Sequence, residues 1–307
     1  MDAGKTDRRT VLECMVWAGA GVLWTMQGGV PRSAIIGSTA AAEPSKGLSF
    51  VQISDSHIGF AKPPNMDTQK TLHEAIQLVD SLKGDAALMI HTGDVSHLSK
   101  DSQFDAAHQI IGDAGLETHY VPGEHDVLVD DGTGFYSRFT KGGLRGWYSF
   151  DQSGVHFVGL NNVQDLKGGG MGSLGTDQLT WLQDDLKARA ASQPIVVFAH
   201  IPLWTIYADW GWGTDDSARA LRLLRRFGSV TVLNGHIHQV MQKVEGNVAF
   251  HTARSTAFPQ PAPGTAPSPG PMKDVLPGRL HALLGVTQVT RVKGDSMLAI
   301  VDTPLGA

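Results

Sequence analysis

The 307-residue sequence is 41% hydrophobic and 18% charged and has a formal net charge of −5, a composition ordinary for a globular protein. Because there is no basic excess, bulk charge does not predict binding to nucleic acid polymers or to anionic membranes. The one cysteine, Cys14, lies near the start of the chain, so a disulfide framework and a thiolate metal site are excluded for the remainder.

Residues 1–42 have the pattern of an export signal. Arg8-Arg9 precedes an apolar segment from Val11 to about Met26, and small residues follow at Ser38 to Ala42. The alternative is an N-terminal membrane anchor, but the apolar segment is short for a bilayer span and contains Glu13. We therefore expect export by the twin-arginine translocation machinery, cleavage of the signal, and a periplasmic or secreted protein with no stable membrane anchoring.

Strands and helices alternate in the next part of the chain. Apolar patterns predict strands at Leu48–Ile53, Ala86–Ile90 and Thr118–Val121, with amphipathic helices at about Asp67–Lys83 and Asp101–Ala114 between them. This βαβαβ pattern favours a largely parallel sheet with functional residues at the carboxyl ends of its strands.

Further elements complete a predicted domain over residues 47–257. The predicted strands lie at Trp147–Phe150, Val155–Leu160, Ile195–Ala199, Ser229–Leu233, near Gln239–Val244, and at Val248–Thr252, and the predicted helices at Thr176–Arg189, capped by Thr176, and at Asp215–Phe227. Residues 258–307 are predicted to pack on this domain as an arm rich in Pro and Gly, to about Gly278, and a last strand pair near Val286–Val292 and Met297–Val301.

Five of the predicted strands end in side chains that can bind a metal ion or transfer a proton. These side chains are Asp55 and His57, Asp94, Glu124 and His125, His200, and His236 and His238. One histidine after an apolar strand is more often structural than a ligand, but five such strand ends are difficult to reach by chance. Carboxylates mixed with imidazoles, without sulfur, are the ligands expected for Mn, Fe or Zn.

In order, these residues resemble the motifs of the calcineurin-like metallophosphoesterase superfamily. The family series D-x-H, GD, GNH[DE], H and GHxH is matched by Asp55-Ser56-His57, Gly93-Asp94, Gly123-Glu124-His125-Asp126, His200 and Gly235-His236-Ile237-His238. The resemblance covers about Leu48 to Thr252. It implies an α/β fold, a four-layer αββα sandwich with mixed sheets, and a centre of two metal ions at one edge. A weaker resemblance, from the export signal and the motif spacing, is to periplasmic relatives of the class III cyclic nucleotide phosphodiesterases.

The resemblance implies a role for each matching residue. Asp55, His57 and His238 would bind one metal ion, His200 and His236 a second, and Asp94 would bridge the two. A hydroxide held between the ions would attack the phosphoryl group of a small-molecule phosphate ester, either a monoester or a diester. His125, oriented by Asp126, would stabilise the transition state or protonate the leaving oxygen.

Glu124 departs from the family pattern, which has Asn at this position. It raises the number of carboxylates among the protein ligands from two to three, so the net charge with two divalent ions falls from plus two to plus one. We predict either a preference for monoanionic diesters or a metal pair that includes ferric iron, unless Glu124 turns outward and water replaces it. The alternative to an enzyme is a di-metal, iron-containing binding or redox protein with little phosphoesterase activity.

Four other residues near the motifs are predicted to contact the substrate. His97 follows Asp94, Trp204 and Trp212 lie in the aromatic segment after His200, and Arg254 follows the strand after the last motif. Aromatic residues at the rim of a site can stack on a base or on an aromatic leaving group. The alternative for the Trp segment is a lid that packs on its own protein or a surface for assembly.

Overall fold

The computed structural model describes the backbone of residues 21–27 and 30–36, and residues 47–140, 145–276, 278–291 and 298–306 with their side chains. The chain divides into two units, residues 1–45 and 46–307. In the first unit, β1 (Gly21–Gln27) pairs antiparallel with β2 (Val30–Ile36). Arg8-Arg9 and most of the predicted export signal lie outside the described residues, so export stays a prediction. No described helix has the length and apolar character needed to cross a membrane.

The second unit alternates strands with helices. Its strands are β3 (Leu48–Ile53), β4 (Leu88–His91), β5 (Thr118–Tyr120), β6 (Tyr148–Gln152), β7 (Val155–Gly159), β8 (Ile195–Phe198), β9 (Val230–Asn234), β10 (Gln242–Glu245), β11 (Val248–Thr252), β12 (Gly285–Arg291) and β13 (Ala299–Pro304). Its described α-helices are α1 (Thr68–Leu82), α2 (Asp101–Gly112), α3 (Thr133–Phe139), α4 (Gly175–Lys187), α5 (Ser217–Leu224) and α6 (Leu280–Leu283).

The strands form two mixed sheets. The first has the order β13-β12-β3-β4-β5, in which β3, β4 and β5 are parallel. The second has the order β10-β11-β9-β8-β7-β6, in which β7, β8, β9 and β11 are parallel and the edge strands β6 and β10 are antiparallel to their neighbours. Each sheet therefore has a parallel centre, whose carboxyl ends lie at one edge.

Alternating side chains of the central strands belong to different apolar layers. In β3, Phe50 packs between the two sheets whereas Val51 packs against α1 and α2. In β8, Val196 packs between the sheets whereas Val197 packs against α4 and α5. Because both faces of these strands are covered, they are apolar throughout, as buried parallel strands usually are. The predicted four-layer αββα sandwich is confirmed.

The bounds of some predicted strands and helices differ from the observed bounds, and one predicted helix cap is wrong. Thr176 does not cap α4. The Asp216 carboxylate instead accepts hydrogen bonds from the backbone N–H groups of Leu174 and Gly175, both at 2.9 Å. Helix α3 was not predicted, because the glycines at 132 and 134 lower its helix propensity, and it forms because Phe135, Tyr136 and Phe139 are buried.

Candidate metal centre

The predicted metal ligands converge where the two sheets meet. They follow the carboxyl ends of β3, β4, β5, β8 and β9. Hydrogen bonds join the loops of the two sheets: the backbone N–H of His236 donates to Asp55 Oδ1 at 3.0 Å, and His200 Nδ1 donates to Thr92 O at 2.7 Å. Residues nearly 200 positions apart in the sequence are therefore held at a single site.

Asp55, His57 and His238 form one group of candidate ligands. Asp55 Oδ1 lies 3.2 Å from His238 Nε2, and His57 Nε2 lies 3.2 Å from the same nitrogen. All three side chains are almost fully buried. Their ligand atoms are close enough together to hold one metal ion.

Glu124, His200 and His236 form a second group. Glu124 Oε2 lies 2.9 Å from His200 Nε2, and Glu124 Oε1 lies 3.0 Å from His236 Nδ1. The carboxylate of Glu124 thus lies between the two imidazoles, which contradicts the alternative in which it turns outward.

Asp94 lies between the two groups. Its Oδ2 is 3.4 Å from His57 Nε2 in the first group and 3.4 Å from His200 Nε2 in the second. One carboxylate oxygen that is equally near to both groups is in the position of a bridging ligand.

The described side chains fit a pair of metal cations. His200 and His238 each direct Nδ1 at a backbone carbonyl, of Thr92 at 2.7 Å and of Phe258 at 2.6 Å. These hydrogen bonds place the proton on Nδ1 and leave the Nε2 lone pair of each ring facing the carboxylates. Glu124 Oε2 is buried and accepts no hydrogen bond within the described structure. A proton or a metal cation must lie between these lone pairs, and a bound metal ion would replace the proton on Nε2.

The backbone at the ligands is strained. Asp55, His57, Asp94, His236 and His238 have φ values of 53°, 41°, 52°, 69° and 55°, which L-residues adopt rarely. Such strain usually occurs where the backbone is constrained by function. Gly123 is required by close packing, because a Cβ there would lie 2.0 Å from Asp94 Oδ1.

The histidines hold the buried carboxylates in their ionised form. Burial alone would raise the pKa of Asp55, but His238 and other neighbours outweigh it and lower the pKa to about 2. Burial likewise opposes ionisation of Glu124, and the adjacent His236 and His200 hold its pKa well below the usual range. The ionised carboxylates of Asp55 and Glu124 are therefore available to bind cations.

His125 lies beside the ligands, and the structure corrects the predicted partner of its ring. His125 Nδ1 donates to the backbone carbonyl of His97 at 2.7 Å and does not contact Asp126. Its Nε2 is then the nitrogen that is left to exchange a proton with a substrate. Burial lowers the pKa of His125, but Asp94 and Glu124 outweigh it and raise the pKa above its ordinary value.

Asp126 instead ties two loops of the site together. Its Oδ1 accepts from the N–H and the hydroxyl of Ser96, and its Oδ2 accepts from the N–H groups of Val95 and Gly123, all at 2.8–3.1 Å. These donors all belong to the loops that carry Asp94 and Glu124. Asp126 therefore supports the ligand loops and does not orient the ring of His125.

A cavity of about 740 Å³ opens on the candidate ligands. His57, Asp94, Glu124, His125 and His238 line it, together with His97. His97 was a predicted substrate contact, and its position in the cavity wall fits that role. Its ring stacks on that of His125, and its Nδ1 lies 3.4 Å from Nδ1 of His57.

The other three predicted substrate contacts do not line this cavity. Trp212 is fully buried and packs against Trp210, so the Trp segment forms part of the protein interior. Trp204 packs on Phe250, with ring centroids 5.0 Å apart, and Arg254 donates to the carbonyl of Ala282. The aromatic composition of the segment therefore reflects packing, and the cavity wall gives no support to substrate contacts by these three residues.

No motif or periodic pattern indicates several other residues that line the cavity. Phe258 stacks on the ring of His57 at 4.8 Å between centroids, and Gln260 donates to the backbone carbonyl of His236. Lys62 and Lys273 also line the cavity. Three of the four lie in the predicted arm, whose irregular composition has no periodicity from which a contact can be inferred.

His91 is a further buried histidine that the motifs do not include. Its Nδ1 accepts from the N–H of Gly93 and its Nε2 lies 2.8 Å from the hydroxyl of Ser56, so it joins the loops after β3 and β4. Burial lowers its pKa to about 3, which keeps the ring neutral.

Comparisons with known proteins agree with this geometry. The sequence pattern of the calcineurin-like phosphoesterases matches residues 48–240. A probable cyclic nucleotide phosphodiesterase of Vesicomyosocius okutanii is 25% identical over 68% of this chain and 87% of its own. A probable glycerophosphodiester phosphodiesterase of Arcobacter nitrofigilis is also 25% identical, over 67% of this chain and 77% of its own.

Solved structures with the same fold include two phosphatases. A dimetal phosphatase from Danio rerio has a TM-score of 0.56 at 14% identity and covers 83% of this chain and 99% of its own. A purple acid phosphatase from yellow lupin has a TM-score of 0.62 at 15% identity and covers 85% of this chain and 52% of its own. At these identities the likeness shows the fold alone. Together with the sequence match over most of the second unit, it shows that this chain belongs to the calcineurin-like phosphoesterase family and is a metal-dependent hydrolase of phosphoric ester bonds.

Proposed function

We propose that this protein is an exported phosphodiesterase that works with two metal ions and prefers monoanionic diesters to dianionic monoesters. The observation that carries the proposal is the position of Glu124, whose carboxylate lies 2.9 Å from His200 Nε2 and 3.0 Å from His236 Nδ1. It is the third carboxylate of the candidate ligands, beside Asp55 and Asp94.

The ligand set divides between the two ions. The first ion would be held by Asp55, His57, Asp94 and His238, and the second by Asp94, Glu124, His200 and His236. When bound, such a pair supplies an activated water nucleophile and polarises the phosphoryl group. The ligands suit Mn, Fe or Zn, and the proposal takes both ions as divalent.

His125 would supply the proton that the leaving alcohol needs. Because its Nδ1 donates to the carbonyl of His97, Nε2 is the atom that carries the transferable proton. His125 lines the cavity beside Asp94 and Glu124, so this proton faces the bound ester. His97, stacked on the His125 ring, holds that ring in place.

The preference for diesters follows from charge. With two divalent ions the three carboxylates leave a net charge of plus one, whereas two carboxylates would leave plus two. A monoester carries one more negative charge than a diester, so the third carboxylate weakens the binding of a monoester more than that of a diester. One unit charge at about 5 Å, with an effective dielectric constant of about 20, contributes about 3 kcal/mol.

Three further observations support the proposal. The two bacterial relatives described above are named as phosphodiesterases, one for cyclic nucleotides and one for glycerophosphodiesters. Arg8-Arg9 and the apolar segment after it support export, because this is the order of parts in a twin-arginine signal. Membership of a hydrolase family favours hydrolysis over the redox alternative.

The test is the Glu124→Asn variant, with metal analysis and assays on nitrophenyl phosphate and bis(nitrophenyl) phosphate. If at least a third of the 3 kcal/mol affects kcat/KM, the ratio of monoester to diester kcat/KM should be about fivefold or more higher in the variant than in the wild type. The control is Glu245→Asn, at the exposed last residue of β10. An unchanged ratio with unchanged metal content would contradict the role of Glu124. Two bound metal ions with no hydrolysis of either ester would favour the redox alternative.

A further inference from the structure

Two lysines line the same cavity as the candidate metal ligands. Lys62 lies in the loop between β3 and α1, and Lys273 lies in the arm that follows β11. Both are exposed. Within residues 47–140, 145–276, 278–291 and 298–306, neither lysine has a carboxylate within 4.0 Å. Their positive charges are therefore open to an anionic ligand.

Hydrogen bonds hold the two segments at the cavity. The N–H of Asn65 donates to the carbonyl of Lys62, and Asn65 Nδ2 donates to the carbonyl of Ala257 at 2.7 Å, at the base of the arm. The arm closes on itself through the N–H of Met272, which donates to the carbonyl of Pro259 at 3.0 Å. Lys62 and Lys273 thus belong to ordered walls of the cavity.

Gln260 fixes the arm to the metal centre. Its Nε2 donates to the carbonyl of His236 at 2.9 Å, and its Oε1 accepts from the N–H of Gly270 at 3.2 Å. The arm residues beyond Gly270, including Lys273, are therefore positioned relative to a candidate metal ligand.

Apolar side chains lie on the same cavity wall as the lysines. Phe60 and Phe258 are in contact, with ring centroids 4.4 Å apart, and Pro63 and Pro271 flank the two lysines. Such a wall suits the carbon skeleton of a substrate more than a second charged group. No other lysine and no arginine is among the described residues that line this cavity.

We infer that Lys62 and Lys273 bind a second phosphate of the substrate, so that the preferred substrate is a phosphodiester whose retained alcohol carries a further phosphate. The inference rests on the proposed phosphodiesterase function. The three-carboxylate centre takes the monoanionic diester group, and the lysines take the remote phosphate, which a lysine binds as a compact point charge. The apolar wall takes the carbon skeleton between them.

The test uses two chromogenic diesters that differ in one group. They are thymidine 5′-(4-nitrophenyl phosphate) with and without a 3′-phosphate, and release of nitrophenol reports cleavage of the same bond in both. We expect the 3′-phosphate to raise kcat/KM of the metal-loaded protein. Each of Lys62→Gln and Lys273→Gln should reduce that advantage about 1.5- to 5-fold, the range of exposed ion pairs, and the double variant should abolish it. Added salt should reduce the advantage as well, because it screens exposed charges.

The control variant is Lys70→Gln, which removes an exposed lysine on α1 that does not line the cavity. It should leave the advantage of the 3′-phosphate unchanged. Thermal unfolding of all variants checks that they are folded. If the wild type hydrolyses both diesters equally well, or if the advantage survives in the double variant, the inference is overturned.

A binding measurement separates this inference from the proposed function. Calorimetry compares thymidine 3′,5′-bisphosphate with thymidine 5′-monophosphate on the same variants. Tighter binding of the bisphosphate that depends on the two lysines, without hydrolysis of either chromogenic diester, would support the phosphate site and reject the phosphodiesterase function. Equal binding of the two nucleotides would reject the phosphate site, whatever the protein hydrolyses.

Discussion

Replacing Asp126 with Asn should destabilise the loops that carry the metal ligands. Each oxygen of Asp126 accepts two hydrogen bonds, and an amide nitrogen in place of either one would face two donors. A hydrogen bond to a charged acceptor contributes about 1.5–3 kcal/mol, so losing two costs about 3–6 kcal/mol. Relief of the like charge of Asp94 offsets about 1–2 kcal/mol of this loss. The expected loss in the free energy of unfolding is therefore about 1–5 kcal/mol, a large part of the stability of a typical domain.

The assay is urea unfolding of the metal-loaded Asp126→Asn variant at pH 8. Burial and the neighbouring Asp94 raise the pKa of Asp126 to about 7, so the wild-type carboxylate is ionised at this pH. This folded-state pKa lies above the ordinary value of a carboxyl group, so the folded protein binds this proton more tightly than the unfolded chain does. The stability that results is present at low pH and is lost as the pH rises through about 7. At pH 8 only the hydrogen bonds of the ionised form remain, and the variant reports on them.

Asp113→Asn serves as the control, because Asp113 is exposed at the end of α2. It should change the free energy of unfolding by less than about 0.5 kcal/mol. The reasoning would be refuted if Asp126→Asn unfolded like the wild type while its kcat/KM fell as far as that of His125→Ala. That result would restore the role predicted from the sequence, in which Asp126 acts through the His125 ring.

Three further changes have expected outcomes. His125→Ala should lower kcat about 10²- to 10⁴-fold on a diester whose leaving group is an alkyl alcohol, which needs a proton. The loss should be much smaller on a nitrophenyl diester, whose leaving group needs no proton. An equal loss on both substrates would reject the role of His125 as an acid. Asp216→Ala should lower the free energy of unfolding by about 0.5–2 kcal/mol in a urea melt, because it removes the acceptor for two N–H groups at the start of α4. Chelation of the metal should lower the urea midpoint of unfolding. The expected loss in the free energy of unfolding is about 4 kcal/mol if the metal is present at about 1,000 times its dissociation constant, and an unchanged midpoint would show that the carboxylates hold no cation.

Local patterns in the sequence predicted the candidate ligands because each one follows an apolar strand. Asp55, Asp94 and His200 come at or just after the last residue of a parallel strand, and parallel strands bring their carboxyl ends to one edge. The four-layer sandwich was implied by the resemblance to the family, and the burial of both faces of β3 and β8 in the structure agrees with it.

Contacts between distant segments could not be predicted in this way. The cap of α4 comes from Asp216, about 40 residues after the helix begins, so the nearer Thr176 looked like the better candidate. The side chain of Asp126 accepts a hydrogen bond from the backbone N–H of Ser96, and no pattern in the sequence predicts this contact.

The roles of the aromatic segment and of the arm could not be predicted, for a related reason. Composition alone does not distinguish a Trp at the rim of a site from one in the interior, and Trp212 is in the interior. The arm lacks periodicity, so the contact of Gln260 with His236, and the position of Lys273 at the cavity, became visible only in the folded chain.

The most direct test of the two-metal account is a titration of metal-depleted protein with Mn, Fe or Zn, in which the hydrolysis of bis(nitrophenyl) phosphate is followed at each addition. The account predicts that the rate rises until two equivalents of metal are bound per chain and then stays constant. Saturation at one equivalent, or no hydrolysis at any loading, would contradict it.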